Sequence, residues 1–146
     1  MLISLIIYAI ATAVALRYAS PWLTSGNVAF AASENKTFLW RSLAVIGITA
    51  VYGVLSIALS IGAQFYAMAL ISGIGRGVTT AMIYELSFMA ADVLILALSI
   101  LGVSKAMKNS LTVKTFGATI SASLIITVLA IFGQVVFGVA MYNLAQ

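Results

Sequence analysis

The apolar positions of this chain fall into long unbroken runs separated by short polar segments. From Met1 to Tyr18 no charge precedes Arg17, and the Pro21 and Ser25-Gly26-Asn27 that follow carry turn chemistry, so the pattern predicts a first helix over about residues 2–20. Arg17, at its end, can extend its guanidinium outward along the apolar surface. A secretory leader would carry basic residues ahead of its apolar run; here the cation follows, so this segment is expected to be a retained anchor. A second run opens behind Ser33-Glu34-Asn35-Lys36, with Ser33 placed to cap it, and extends over about 37–61 until Gly62 interrupts it. Residues 63–71 stay apolar but are bracketed by Gly62 and by Gly73-Ile74-Gly75-Arg76-Gly77. They are too few to cross hydrocarbon, and the stretch 62–77 reads as an interfacial or tucked-in connector. A third helix is predicted over about 78–103 and a fourth over about 115–142, with three lysines in the segment between them.

These runs predict an all-α fold: a polytopic integral membrane four-helix bundle forming one transmembrane domain over 1–146. A transmembrane barrel would show short alternating segments instead. Composition agrees, because 64% of the 146 residues are hydrophobic and 7% charged, far from the roughly 25% charge of a soluble domain. Arg17, Lys36, Arg41, Lys105, Lys108 and Lys114 flank the first and third connections and only Arg76 lies on the second. The positive-inside rule then predicts that the two basic connections are cytoplasmic and that both termini lie on the non-cytoplasmic side. The expected location is a plasma membrane, as a multi-pass protein of a prokaryote. The net charge of +4 reads as topology and as attraction to anionic head groups, with Arg76, Lys105 and Lys108 as the expected lipid contacts. Nucleic acid is not an expected partner, since no water-exposed element carries a basic stripe.

With no His and no Cys, the chain lacks the commonest general base, the thiol nucleophile, the usual zinc and haem ligands and every disulfide. No catalytic residue, metal or cofactor is therefore expected, and bound lipids are. Of three acids, Glu85 and Asp92 fall inside the third helix, where an ionised carboxylate costs about 2.5–3.5 kcal/mol at mid-span. Seven residues apart, they project from one face about 10 Å apart along the axis, together with Phe88, Met89 and Ser99. One reading is a proton or cation pathway through that face. The other is local: Glu85 meets Arg76 at head-group depth, and Asp92 is protonated and hydrogen-bonded to a hydroxyl or to a partner subunit. Ser42, Thr49, Ser56 and Ser60 on the second helix, and Ser123, Thr127 and Gln134 on the fourth, recur at helical spacing. Such stripes suit close helix packing. Alternatively the stripes and the Glu85–Asp92 face line one polar seam through the bundle, a path for a proton or ion past Asp92, Glu85, Thr127 and Gln134, whose mid-helix amide needs a partner.

The Gly73–Gly77 cluster lacks the Lys-Ser/Thr ending and the preceding strand of a phosphate-binding loop, so it is expected to be a turn. Asn35-Lys36-Thr37 matches the glycosylation sequon but falls on the expected cytoplasmic side. Trp22, Trp40, Tyr18 and Tyr142, near span ends, read as depth anchors. Ala50-Val51-Tyr52-Gly53 echoes Ala130-Ile131-Phe132-Gly133, as two related hairpins would. The stretch from Gly47 to Gly53 locally resembles the four-helix proteolipid of vacuolar and archaeal rotary ATPases, over less than a fifth of the chain. Where that resemblance would place the ion-carrying glutamate, this chain has Thr127, and its first and third helices lack glycine-dense faces. Two functions are expected from these features. The first is a small non-catalytic membrane subunit that packs among other integral membrane subunits and contributes to a proton or ion path. The alternative is a small ion-coupled transporter or ring-forming, proteolipid-like translocator. A lipid or quinone enzyme built on two acids, tyrosines and one arginine is a distant third.

Overall fold

The computed structural model describes residues 2–31, 37–108 and 110–144. Helix α1 (Leu2–Val14) continues through a π-helical turn (Ala15–Ala19) into the short α2 (Ser20–Leu23). Pro21 accounts for the wide turn: in a regular helix its ring would collide with the carbonyl four residues back, that of Arg17. The rod ends where the Thr24 hydroxyl donates to the Ser20 carbonyl (2.6 Å) and accepts from the Val28 amide (3.1 Å), followed by positive φ at Ser25 and Gly26. Strand β1 (Val28–Phe30) leads to α3 (Thr37–Ile74), which turns back into α4 (Val78–Ala106). Strand β2 (Leu111–Val113) and α5 (Phe116–Leu144) complete the fold. The Ser33 cap, Lys36 and the sequon at Asn35 lie outside the described residues.

Four helical stretches are long and apolar enough to cross a membrane. They form an antiparallel ring in which α1 packs on α3 and α5, and α4 packs on α3 and α5. Buried Leu16, Ile48, Leu96, Ile100 and Ile126, with alanines such as Ala44, Ala97, Ala122 and Ala130 between them, make a close-packed core. In lipid, where hydrophobic force between helices is small, such small side chains allow the close backbone approach that holds a bundle together.

Two features depart from the expectations. First, the break at Gly62 is absent: α3 is one 38-residue helix through the whole of 62–74, so this stretch is no connector and the second span does not end at residue 61. A mid-helix glycine costs only about 1 kcal/mol, and α4 pairs with α3 along its length. The turn is confined to Gly75–Gly77, where Gly75 adopts φ +87° and its carbonyl accepts from the Thr80 hydroxyl. Second, β1 and β2 form a small antiparallel ribbon with Val28 opposite Val113 and Phe30 opposite Leu111. The ribbon ties the first and third connections to the same end of the bundle.

The helices are also unequal. At 1.5 Å per residue α3 is about 57 Å long, against about 30 Å of bilayer hydrocarbon. The Leu5 side chain lies over Gly53 and that of Ile7 over Gly133, which fixes the level of α1 against α3 and α5. Counting turns from those contacts, α1 begins level with the mid-50s of α3 and α5 ends level with about residue 62. Past that level, among the described residues, the α3–α4 hairpin projects alone for almost 20 Å. It leaves Phe65, Met68, Ile71, Val78 and Met82 exposed.

Candidate functional site

Asp92 faces the centre of the bundle, as its place on α4 requires. The Tyr52 hydroxyl of α3 donates to Oδ1 at 2.7 Å and the Tyr8 hydroxyl of α1 donates to Oδ2 at 3.2 Å. The two phenol rings lean on one another, centroids 4.7 Å apart and planes at 33°. Tyr52 is 6% exposed and Asp92 half-buried. The buried Thr127 hydroxyl of α5 sits beside the Tyr8 phenol and has no hydrogen-bond partner among the described residues. All four helices of the bundle thus contribute to one polar centre. Among the described residues the carboxyl is held by phenols and not by a cation.

Phenols suit this task because they carry a single donor on a rigid apolar body that the bundle can bury. Inside membranes such hydrogen bonds contribute about 0.6 kcal/mol on average and up to about 1.7 kcal/mol, so the two phenols lower the cost of keeping this polar group at bilayer depth without cancelling it. The second lone pairs of both carboxylate oxygens stay open, so the group can take up a proton or face a cation without first breaking the phenol contacts. A cleft of about 220 Å³ between α1 and α3 reaches the two tyrosines and is lined by Ser4, Ser56 and Ser60 together with Leu5 and Ile57. No cluster of three or more potential metal-ligating side chains occurs among the described residues.

Of the residues singled out in the sequence, Asp92 and Thr127 come together around Tyr8. Glu85 does not join them. It lies on the same face of α4, as its spacing requires, but at the level where the hairpin projects past α1 and α5, so no helix covers that face and Glu85 is exposed. It forms no ion pair with Arg76 among the described residues, and Arg76 is exposed at the α3–α4 turn. Its neighbours Tyr84 and Phe88 stack on each other, and Tyr66 shares a hydrogen bond with Ser87. Gln134 is exposed on α5, outside the polar centre.

The hydroxyl stripes bond within their own helices. Thr49 donates to the Val45 carbonyl, Ser56 to that of Gly53, Ser60 to that of Ser56, Ser123 to that of Thr119 and Ser99 to that of Ile95. They therefore do not stitch helices together, and Ser42 is half-buried at the opposite end of the bundle from Ser60. What permits close approach is the pair of echoed glycines: Leu5 comes within 3.2 Å of the Cβ position of Gly53 and Ile7 within 3.0 Å of that of Gly133. The repeat seats α1 between α3 and α5.

Lys105 and Lys108 lie beside β2 on the same end of the molecule as Arg17 and Arg41, and Arg76 lies on the other, so the cation asymmetry of the sequence becomes an asymmetry of the two ends. The sequence reading missed Tyr8 and Tyr52. The available signal was a tyrosine in the middle of each of two spans, where its hydroxyl needs a partner, in a chain with a single acid central in a span. No protein-family model matches the chain, and neither a curated protein nor a solved structure is significantly similar to it.

Proposed function

We propose that the chain is a small non-catalytic integral membrane subunit that packs within a larger membrane protein complex. The projecting α3–α4 hairpin carries this reading. A helix of about 57 Å cannot be covered by about 30 Å of hydrocarbon and by α1 and α5 together, so the apolar side chains near its tip call for a protein cover. The outward Gln134 supports it as well, since a polar group on a lipid-facing surface is costly unless a neighbour satisfies it. The ribbon end, with five cations in or beside it, is the cytoplasmic end of a prokaryotic plasma-membrane protein on this reading. A photo-crosslinking residue at Met68 or Met82 in native membranes tests it. The expected product joins the 15.3 kDa chain to a different membrane protein. A monodisperse monomer that crosslinks to lipid alone defeats the proposal.

A second reading, a small ion-coupled translocator working as a homo-oligomer, draws on the polar centre and its hydroxyl-lined cleft. Here Asp92 takes up the coupling ion or proton that reaches it past Ser60, Ser56 and Ser4, and Thr127 offers a further oxygen. It predicts crosslinked products at twice the chain mass. In liposomes under a pH gradient it predicts a flux that Asp92→Asn abolishes. Equal flux in both proteins, or none in either, removes the ion-carrying role.

A further inference from the structure

At the ribbon end, Arg17 and Arg41 open onto one cleft of about 450 Å³ between the end of α1 and the start of α3, with Ser42, Phe30, Phe38 and Val45 among its lining. Each guanidinium lies over an aromatic ring: Arg41 is 5.6 Å from the centroid of Phe30, and Arg17 is 5.3 Å from that of Tyr18. Arg41 Nε is buried and unpartnered among the described residues, which is unusual for a charged donor with a fixed fork of N–H groups. Arg17 reaches the cleft from within the π-helical turn, a local widening found often at binding sites. The rest of the lining is apolar and leads down the flank of the bundle.

We infer that this cleft binds a phosphate group between Arg17 and Arg41. Two guanidiniums match the planar, multi-oxygen geometry of a phosphate, and stacking on aromatic faces holds their forks in place. The Ser42 hydroxyl supplies one more donor, and the apolar floor suits a chain attached to the phosphate. The site is separate from the exposed Arg76, Lys105 and Lys108: Arg17 is exposed as well, but it shares its cleft with the half-buried Arg41, whose Nε is buried. The chemistry is shared by an anionic phospholipid and by a free phosphate, and the two are separated by experiment.

The test is native mass spectrometry of the delipidated full chain in detergent, titrated with phosphatidylglycerol, with phosphatidylcholine and with inorganic phosphate. Wild type is expected to retain phosphatidylglycerol at least tenfold more strongly than phosphatidylcholine, and Arg17→Gln/Arg41→Gln to lose that preference. Arg17→Lys/Arg41→Lys keeps the charge and is expected to retain only part of the preference, because an ammonium lacks the fork. Lys108→Gln, which removes one diffuse charge, is expected to keep most of the preference. Displacement of the lipid by millimolar inorganic phosphate identifies the free anion as sufficient; retention in its presence identifies the lipid. Unchanged lipid preference in the double glutamine variant, with wild-type thermal unfolding, overturns the inference.

Discussion

Replacing Tyr52 by Phe removes one oxygen from the polar centre and leaves the ring that packs on Tyr8, so the loss is confined to one hydrogen bond. In soluble proteins a hydrogen bond to a charged group contributes about 1.5–3 kcal/mol. Inside membranes, coupling energies average about 0.6 kcal/mol and reach about 1.7 kcal/mol, because the unfolded chain in lipid also finds partners. The Tyr52 contact is the shorter of the two, at 2.7 Å against 3.2 Å, and its ring is almost wholly buried. Tyr52→Phe is therefore expected near the upper figure, about 1.7 kcal/mol less stable, and Tyr8→Phe near the average, about 0.6 kcal/mol. Asp92→Asn keeps the shape but turns one acceptor into an NH2 donor, so a cycle combining it with Tyr52→Phe is expected to show a coupling of about 1 kcal/mol. SDS-titrated unfolding in mixed micelles, followed by the fluorescence of Trp22 and Trp40, measures the wild type and all four variants. A Tyr52→Phe variant within about 0.3 kcal/mol of wild type, with effects that add, refutes the polar centre as an energetic unit.

Two further outcomes follow from the packing. Gly133→Ala places a Cβ 3.0 Å from Ile7 and is expected to destabilise the bundle by about 1–3 kcal/mol, whereas Gly138→Ala, with open space around it, is expected to be neutral or up to about 1 kcal/mol stabilising. The same unfolding assay distinguishes them, and equal effects at the two sites contradict the α1–α5 contact. Val28 and Val113 face each other across the ribbon at a position without paired ladder bonds, since Lys114 donates to the Asn27 carbonyl and Ala31 to that of Ser110. The pair Val28→Cys and Val113→Cys is expected to bridge under mild oxidation. A reduced double variant, read by a gel shift after thiol labelling, places the first and third connections apart.

The glycine echo and the acidic spacing show how far local pattern reaches. The sequence carried the repeat at Gly53 and Gly133, and the structure supplied its purpose, a seat for α1. Likewise the seven-residue spacing set Glu85 and Asp92 on one face of α4, but only one of them is covered. Burial of a helix face depends on how far the neighbouring helices extend, and that length is fixed by contacts far apart in the chain.

By itself the sequence determined that four long apolar segments become helices, because in hydrocarbon a backbone must satisfy its own hydrogen bonds, and it determined that cations gather on two of the three connections. Tertiary structure decided the rest. It carried α3 unbroken through Gly62, since pairing with α4 outweighs the local weakness of one glycine. It joined two three-residue strands too short to leave a pattern. It also chose the partners of Asp92: two phenols 84 and 40 residues away, brought together only by the relative depth and rotation of packed helices.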